Sequence, residues 1–252
     1  MDTSAVGQHA EAEPPEVSGH PDEPAAHEEG LSGRLNWLRA GVLGANDGIV
    51  SVAGVVMGVA GATTDRTAIL IAGVAALVAG ALSMAAGEYV SVSTQRDAEK
   101  SLLAKEREEL RTMPAEEFAE LQEILQHRGL SPDLAHEVAA QLTETNALRA
   151  HAVLELGLDP DELTSPWAAA IASMVAFIFG ASLPALTILL PDPERFAVTV
   201  GAVIVALAIT GWASARLGYA PPGRAVIRNI TGGSFAMLIT YLVGSVLGAQ
   251  VL

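Results

Sequence analysis

Five stretches of mostly apolar residues dominate the hydrophobic pattern of the chain. A helix needs about 20 such residues to cross the hydrocarbon core of a membrane, and each stretch is about that long. The stretches run approximately from Leu38 to Gly61, Thr67 to Tyr89, Trp167 to Leu190, Phe196 to Ala215, and Ile227 to Val251. The second and third are separated by a long polar segment, whereas short segments join the others. The pattern predicts an all-α integral membrane protein with five transmembrane helices.

The long polar segment predicts three amphipathic helices. Residues 89–112 contain no Gly or Pro, so the second membrane helix is expected to continue straight out of the bilayer. Pro114 predicts a break, because proline suits the first turn of a helix but not its interior. A second helix is expected to end at Gly129, and a third to begin at Ser131 and to end near Gly157.

Charge is distributed unevenly along the chain, which has a formal net charge of −15 although 50% of its residues are hydrophobic. The first 33 residues carry acidic side chains and no Lys or Arg, which is typical of a disordered tail. Arg and Lys concentrate before the first span, in the polar segment and between the last two spans, so these parts are expected to be cytoplasmic. The predicted regions are an acidic tail (1–33), transmembrane helices 1–2 (34–95), a cytoplasmic three-helix domain (96–163) and transmembrane helices 3–5 (164–252).

Asp47 is the main exception to the apolar character of the first span. It lies about 15 Å along the helix from Trp37. A carboxylate at such a depth costs about 2.5 kcal/mol or more, and such residues usually face a bundle interior or a water-filled path. Asn46 and Gly48 flank it, so a purely local role, with the carboxylate bonded to the helix backbone, is the alternative. The cluster of polar groups favours a functional carboxylate.

Met84 and Glu88 share one face near the end of the second span, because they are four residues apart on a helix. Antiparallel packing of the first two spans would bring both to the depth of Asp47. Two carboxylates and a thioether suit a borderline divalent ion such as Fe²⁺, Mn²⁺ or Co²⁺ better than Mg²⁺ or Ca²⁺. Core packing for Met84 and an interfacial position for Glu88 are the alternatives.

The first span also contains two Gly-x-x-x-Gly pairs, Gly44 with Gly48 and Gly54 with Gly58. Small residues at this spacing let helices approach closely. The contact could be made within one chain or across a symmetric dimer that places two Asp47 side chains around one axis.

The polar segment carries glutamates at metal-ligand spacing. Two Glu-x-x-Glu pairs flank the predicted break at Pro114, and a further Glu follows a His one turn later on the third helix. The candidate ligands are Glu106, Glu109, Glu117, Glu120, His151 and Glu155. Together they could hold divalent ions, and a solvated acidic face is the alternative.

Several functional classes are disfavoured. The chain has no cysteine, which excludes disulfides and thiolate metal sites. No Gly-rich stretch ends in Lys-Ser or Lys-Thr, so a nucleotide partner is not expected, and nor is a nucleic acid. A di-iron oxidase needs two Glu-x-x-His motifs, and Asp133 with His136 is the nearest match. We therefore do not expect an enzyme.

The chain resembles the vacuolar iron transporter family over nearly everything after residue 33. The resemblance rests on "NDGIVS", "SMAAGEYVSVSTQ", the Glu-x-x-Glu pairs and "LELGL". It implies a homodimer with five spans per subunit and a three-helix cytoplasmic metal-binding domain inserted between helices 2 and 3. It also implies exchange of cytosolic Fe²⁺, and often Mn²⁺, for protons.

The resemblance assigns roles to residues as well. Asp47 and Met84 match pore-ligand positions, and the five candidate glutamates of the polar segment match the metal-domain positions. Plant-type members have a pore glutamate where this chain has Ala76, and two methionines where it has His151 and Ala152.

The sequence thus predicts a transporter that exports Fe²⁺, with Mn²⁺, Co²⁺ or Zn²⁺ as alternatives, from the cytoplasm in exchange for protons. A membrane-anchored iron store and a passive divalent-cation channel are the competing hypotheses. The expected location is a bacterial plasma membrane, or a vacuolar membrane in a eukaryote, with lipid, metal ions and protons as partners.

Overall fold

The structure is a computed structural model that describes residues 31–161, 163–187, 189–191 and 194–251. Residues 1–30 of the predicted acidic tail lie outside the described part of the chain. The helices are α1 (Leu31–Ala62), α2 (Arg66–Thr112), α3 (Pro114–His127), α4 (Pro132–Leu154), α5 (Pro166–Thr187), α6 (Arg195–Leu217) and α7 (Pro222–Val251).

Five of these seven helices, α1, α2, α5, α6 and α7, are long and apolar enough to cross a membrane. No β-strand occurs among the residues described. The prediction of an all-helical membrane protein with five candidate spans is confirmed.

Helix α1 lies at the centre of the membrane bundle and contacts α2, α5, α6 and α7. Its close contact with α5 depends on glycine: a Cβ added at Gly48 would overlap the Phe177 carbonyl oxygen, and one added at Gly180 would overlap that of Ala45. Gly44 faces the Ser173 backbone in the same way. The first Gly-x-x-x-Gly pair therefore serves packing within the chain. This packing fixes the orientation of α1, which carries Asp47.

Helix α2 is 47 residues long and extends well beyond its apolar part. Its polar half packs with α3 and α4, and those two helices share an apolar core that includes Leu121, Leu125 and Ala139. The turn between α3 and α4 follows the sequence prediction: Gly129 has a φ of +100°, and Ser131 Oγ accepts a hydrogen bond from the Leu134 N–H. These contacts bring the glutamates of α2 and α3 to one place.

Helix α4 is interrupted at Asn146, whose φ of −165° and ψ of 91° are not helical. The Asn146 side chain accepts a hydrogen bond from the Arg149 N–H at 3.0 Å, so it caps the next helical segment. Arg149 also forms ion pairs with Asp159 and Asp161. The break therefore starts a separate short segment, tied to the chain leading into α5, and this segment carries His151.

Candidate metal sites

Three helices bring four metal-binding side chains together outside the apolar bundle. Glu106 lies on α2, Glu117 on α3, His151 on α4, and Glu155 follows the last residue of α4. One ligand atom from each lies within 4.8 Å of all the others. The His151 Nδ1 atom lies 3.1 Å from Glu106 Oε1, 3.7 Å from Glu117 Oε2 and 3.1 Å from Glu155 Oε2. We call these four residues the glutamate–histidine cluster.

Three of the four side chains in the glutamate–histidine cluster are buried, and Glu155 is exposed. Glu106, Glu117 and His151 are 3%, 5% and 1% exposed, respectively. The single Nδ1 atom can donate to only one of the three carboxylates, and Glu106 Oε1 accepts no hydrogen bond among the described residues. Buried carboxylates without a positive partner are unfavourable. The arrangement therefore has the chemistry of a site for a divalent cation. A bound cation would supply the missing positive charge.

The pKa values of the carboxyl groups also indicate that their buried negative charges are not balanced by positive charges. Glu106 lies roughly 25 Å along the α2 axis beyond Tyr89, outside the apolar part of the helix. Burial, reinforced by the charge of Glu155, raises the pKa of Glu106 to about 7, although His151 opposes this effect. Burial, followed by the charge of Glu120, raises the pKa of Glu117. A metal ion would reverse both effects by stabilising the ionised carboxylates.

Metal binding at the cluster should therefore weaken as the pH falls through 7. The pKa of Glu106 is raised, so this carboxyl is mostly protonated below pH 7 and a proton must leave before a cation can bind. From pH 8 to pH 6 we expect the affinity for Mn²⁺ to fall by about tenfold or more. Calorimetric titration of the full-length protein in detergent measures this change. Equal affinity at the two pH values would mean that no carboxyl group with a raised pKa takes part in metal binding.

The remaining predicted ligands lie outside the cluster. Glu109 is ion-paired with Lys105, at 2.8 Å between Nζ and Oε2. Glu120 is exposed, and its negative charge helps to raise the pKa of Glu117. The structure thus brings together four of the six predicted metal-domain residues.

A second polar site lies between α1, α2 and α7 of the membrane bundle. Asp47 of α1 and Met84 of α2 line one cavity of about 320 Å³. The Asp47 Oδ1 atom accepts a hydrogen bond of 2.7 Å from Ser51 Oγ, one turn later on α1. Asp47 and Met84, the pair expected from the sequence, thus border one space, and Met84 also packs against the apolar core of the bundle. Glu88 is half-buried on α2 and does not line this cavity.

Polar residues that the sequence analysis did not assign to the site line the same cavity. They are Asn46 on α1 and Arg228 and Asn229 on α7. The Asn46 Oδ1 atom is buried and accepts no hydrogen bond from any described residue. Asn46 and Asn229 also line a neighbouring cavity of about 390 Å³. In the sequence, Arg228 contributes only to the predicted orientation in the membrane. No local pattern of residues shows that α7 packs beside Asp47.

Together, the fold and the two sites define a polytopic membrane protein with candidate metal-binding side chains both within and outside its apolar helical bundle. Residues 38–245 match the model of the VIT family, and the chain belongs to that family. It is 44% identical to the vacuolar iron transporter of Acanthamoeba castellanii, over 84% of this chain and 79% of the relative. It is also 37% identical to vacuolar iron transporter homolog 1 of Oryza sativa, over 82% of this chain and 72% of the relative.

Proposed function

We propose that this protein transports Fe²⁺, with Mn²⁺ as an alternative cargo, out of the cytoplasm in exchange for protons. The observation that carries the proposal is that Asp47 and Met84 line the same cavity, between α1, α2 and α7. The names of the relatives support iron as the cargo.

The donor atoms of this cavity favour a transition metal. Mg²⁺ and Ca²⁺ take oxygen ligands, whereas the thioether of Met84 adds a softer donor suited to borderline ions. The carboxylate of Asp47 supplies the charge that draws a cation into an apolar bundle. The amide oxygens of Asn46 and Asn229, which line the same cavity, can replace part of the hydration shell.

The glutamate–histidine cluster would act as the first binding site for the cargo. We place it in the cytoplasm, because Arg and Lys concentrate in the segment that carries it. Its carboxylates and imidazole bind a divalent ion only when deprotonated, so they collect metal at neutral pH. This region, residues 96–163, is then the cytoplasmic metal-binding domain. A homodimer, as the family resemblance implies, would present two such domains.

Proton exchange follows from the same ligand chemistry. A carboxylate that releases a metal ion into an acidic compartment takes up a proton, and it must lose this proton before binding again. The names of the relatives favour a vacuolar membrane in a eukaryotic host, with a bacterial plasma membrane as the alternative.

Metal flux in liposomes tests the proposal. Purified protein should carry Fe²⁺, kept reduced, several-fold faster when the metal-receiving side is acidic than when the pH is equal on both sides. Mn²⁺ should follow the same pattern. Equal flux with and without the gradient would favour a channel. Binding without flux would favour a storage protein.

A further inference from the structure

A cationic side chain lines the cavity that both Asp47 and Met84 line. It belongs to Arg228, in the second turn of α7. We propose that Arg228 is an internal competitor of the cargo: its guanidinium weakens the hold of Asp47 on a divalent ion and thereby speeds the release of that ion. This inference rests on the proposed function, and it assigns Arg228 as a residue that sets the affinity of the transport site.

Arg228 shares the cavity without neutralising Asp47 directly. Among the described residues, Arg228 and Asp47 form no ion pair with each other. The Asp47 carboxylate accepts a hydrogen bond from the Ser51 hydroxyl instead. Both side chains line the same cavity of about 320 Å³. The negative charge of Asp47 thus remains available to a cation, while the positive charge of Arg228 borders the same cavity.

The surface of α7 leaves room for both the guanidinium and an ion. Gly232 lies one turn after Arg228, on the same helix face, and also lines the cavity. No atom lies within 4 Å of a Cβ placed at Gly232, so the space in front of this face is open. Arg228 itself is exposed rather than packed. Its long side chain can therefore approach the Asp47 carboxylate or withdraw from it.

Repulsion by Arg228 would have a clear effect on transport. A divalent ion beside Asp47 lies across the cavity from a like charge, which raises the free energy of the bound ion. A transport site must bind its ion firmly enough to admit it and weakly enough to release it. The alternative role for Arg228 is to anchor the end of α7 at the lipid interface. In that case, replacing it would leave the ion affinity unchanged.

Replacing the charge by a neutral side chain separates these two roles. In liposomes that contain the full-length protein, Arg228→Gln should lower the KM for Mn²⁺ by about tenfold. The same variant should lower kcat, because the ion leaves more slowly. Arg228→Lys should keep both constants close to those of the wild type. Arg228→Met provides a second neutral variant in case the Gln variant folds poorly.

Arg224→Gln is the matched control, one turn earlier on α7, exposed and outside the cavity lining. It should leave KM and kcat unchanged. An unchanged or higher KM in both neutral variants of Arg228 would overturn the inference, as would an equal shift in Arg224→Gln. Asp47→Asn, measured in parallel, tests the proposed function separately: full flux in that variant would remove the transport site itself, whatever Arg228 does.

Discussion

Asp47→Asn is expected to lower metal flux by roughly 100-fold or more, since removing even an outer-shell partner of a metal ligand costs up to about that much. Asn keeps the size of the side chain and its hydrogen bond from Ser51, but it loses the negative charge that attracts the cation. Binding at the glutamate–histidine cluster should persist, because that cluster lies on other elements. Fe²⁺ or Mn²⁺ uptake by proteoliposomes measures the flux.

Asp65→Asn is the control for this experiment. Asp65 caps α2 by accepting hydrogen bonds from the Thr67 and Ala68 N–H groups, and Asn is an equally good cap. Asp65 does not line the cavity that contains Asp47. This variant should transport at the wild-type rate. Wild-type flux in Asp47→Asn would show that the carboxylate has no part in transport.

Simultaneous Glu106→Gln and Glu117→Gln replacement is expected to weaken Mn²⁺ binding to the glutamate–histidine cluster by roughly 100-fold. The change removes two carboxyl groups from a cluster of four candidate ligands, with little change in volume. It also removes two carboxylates whose pKa values are raised by burial, so the fold should not lose stability at neutral pH. Calorimetry and thermal unfolding of the full-length protein measure the two effects.

The matched control is the double replacement Glu109→Gln and Glu120→Gln. It removes the same number of charges from the same two helices, at positions outside the cluster. The ion pair of Glu109 with Lys105 is partly exposed, so its loss should cost little stability. We expect less than a fivefold change in Mn²⁺ affinity, roughly the effect of long-range charge alone. Equal weakening in both double variants would favour the larger ligand set that the sequence predicts.

The sequence predicts the helices well because local chemistry determines them. Apolar runs of membrane length give the five spans. The proline at 114, the glycine at 129 and the serine at 131 mark helix ends through backbone geometry and capping, which depend on near neighbours alone. The interruption at Asn146 is missed, because a single asparagine within a helical pattern is a weak signal.

The sites are less predictable because they depend on how helices rotate against one another. Spacing places Glu106 and Glu109 on one face of α2, but the packing of α3 and α4 buries the first and leaves the second beside Lys105. Asp47 and Met84 are predictable as a pair from their expected depth in the membrane. Arg228 is not, since it is distant in sequence and reaches the cavity only through the packing of α7.

Anomalous diffraction from Mn²⁺-soaked crystals of the wild-type protein tests the proposed transport site most directly. The expected result is an anomalous peak inside the membrane bundle, within bonding distance of an Asp47 carboxylate oxygen and close to the Met84 sulfur. A map without such a peak, in which the Asp47 carboxylate faces lipid or bonds only to neighbouring hydroxyl and amide groups, would contradict the claim that this carboxylate binds the transported ion.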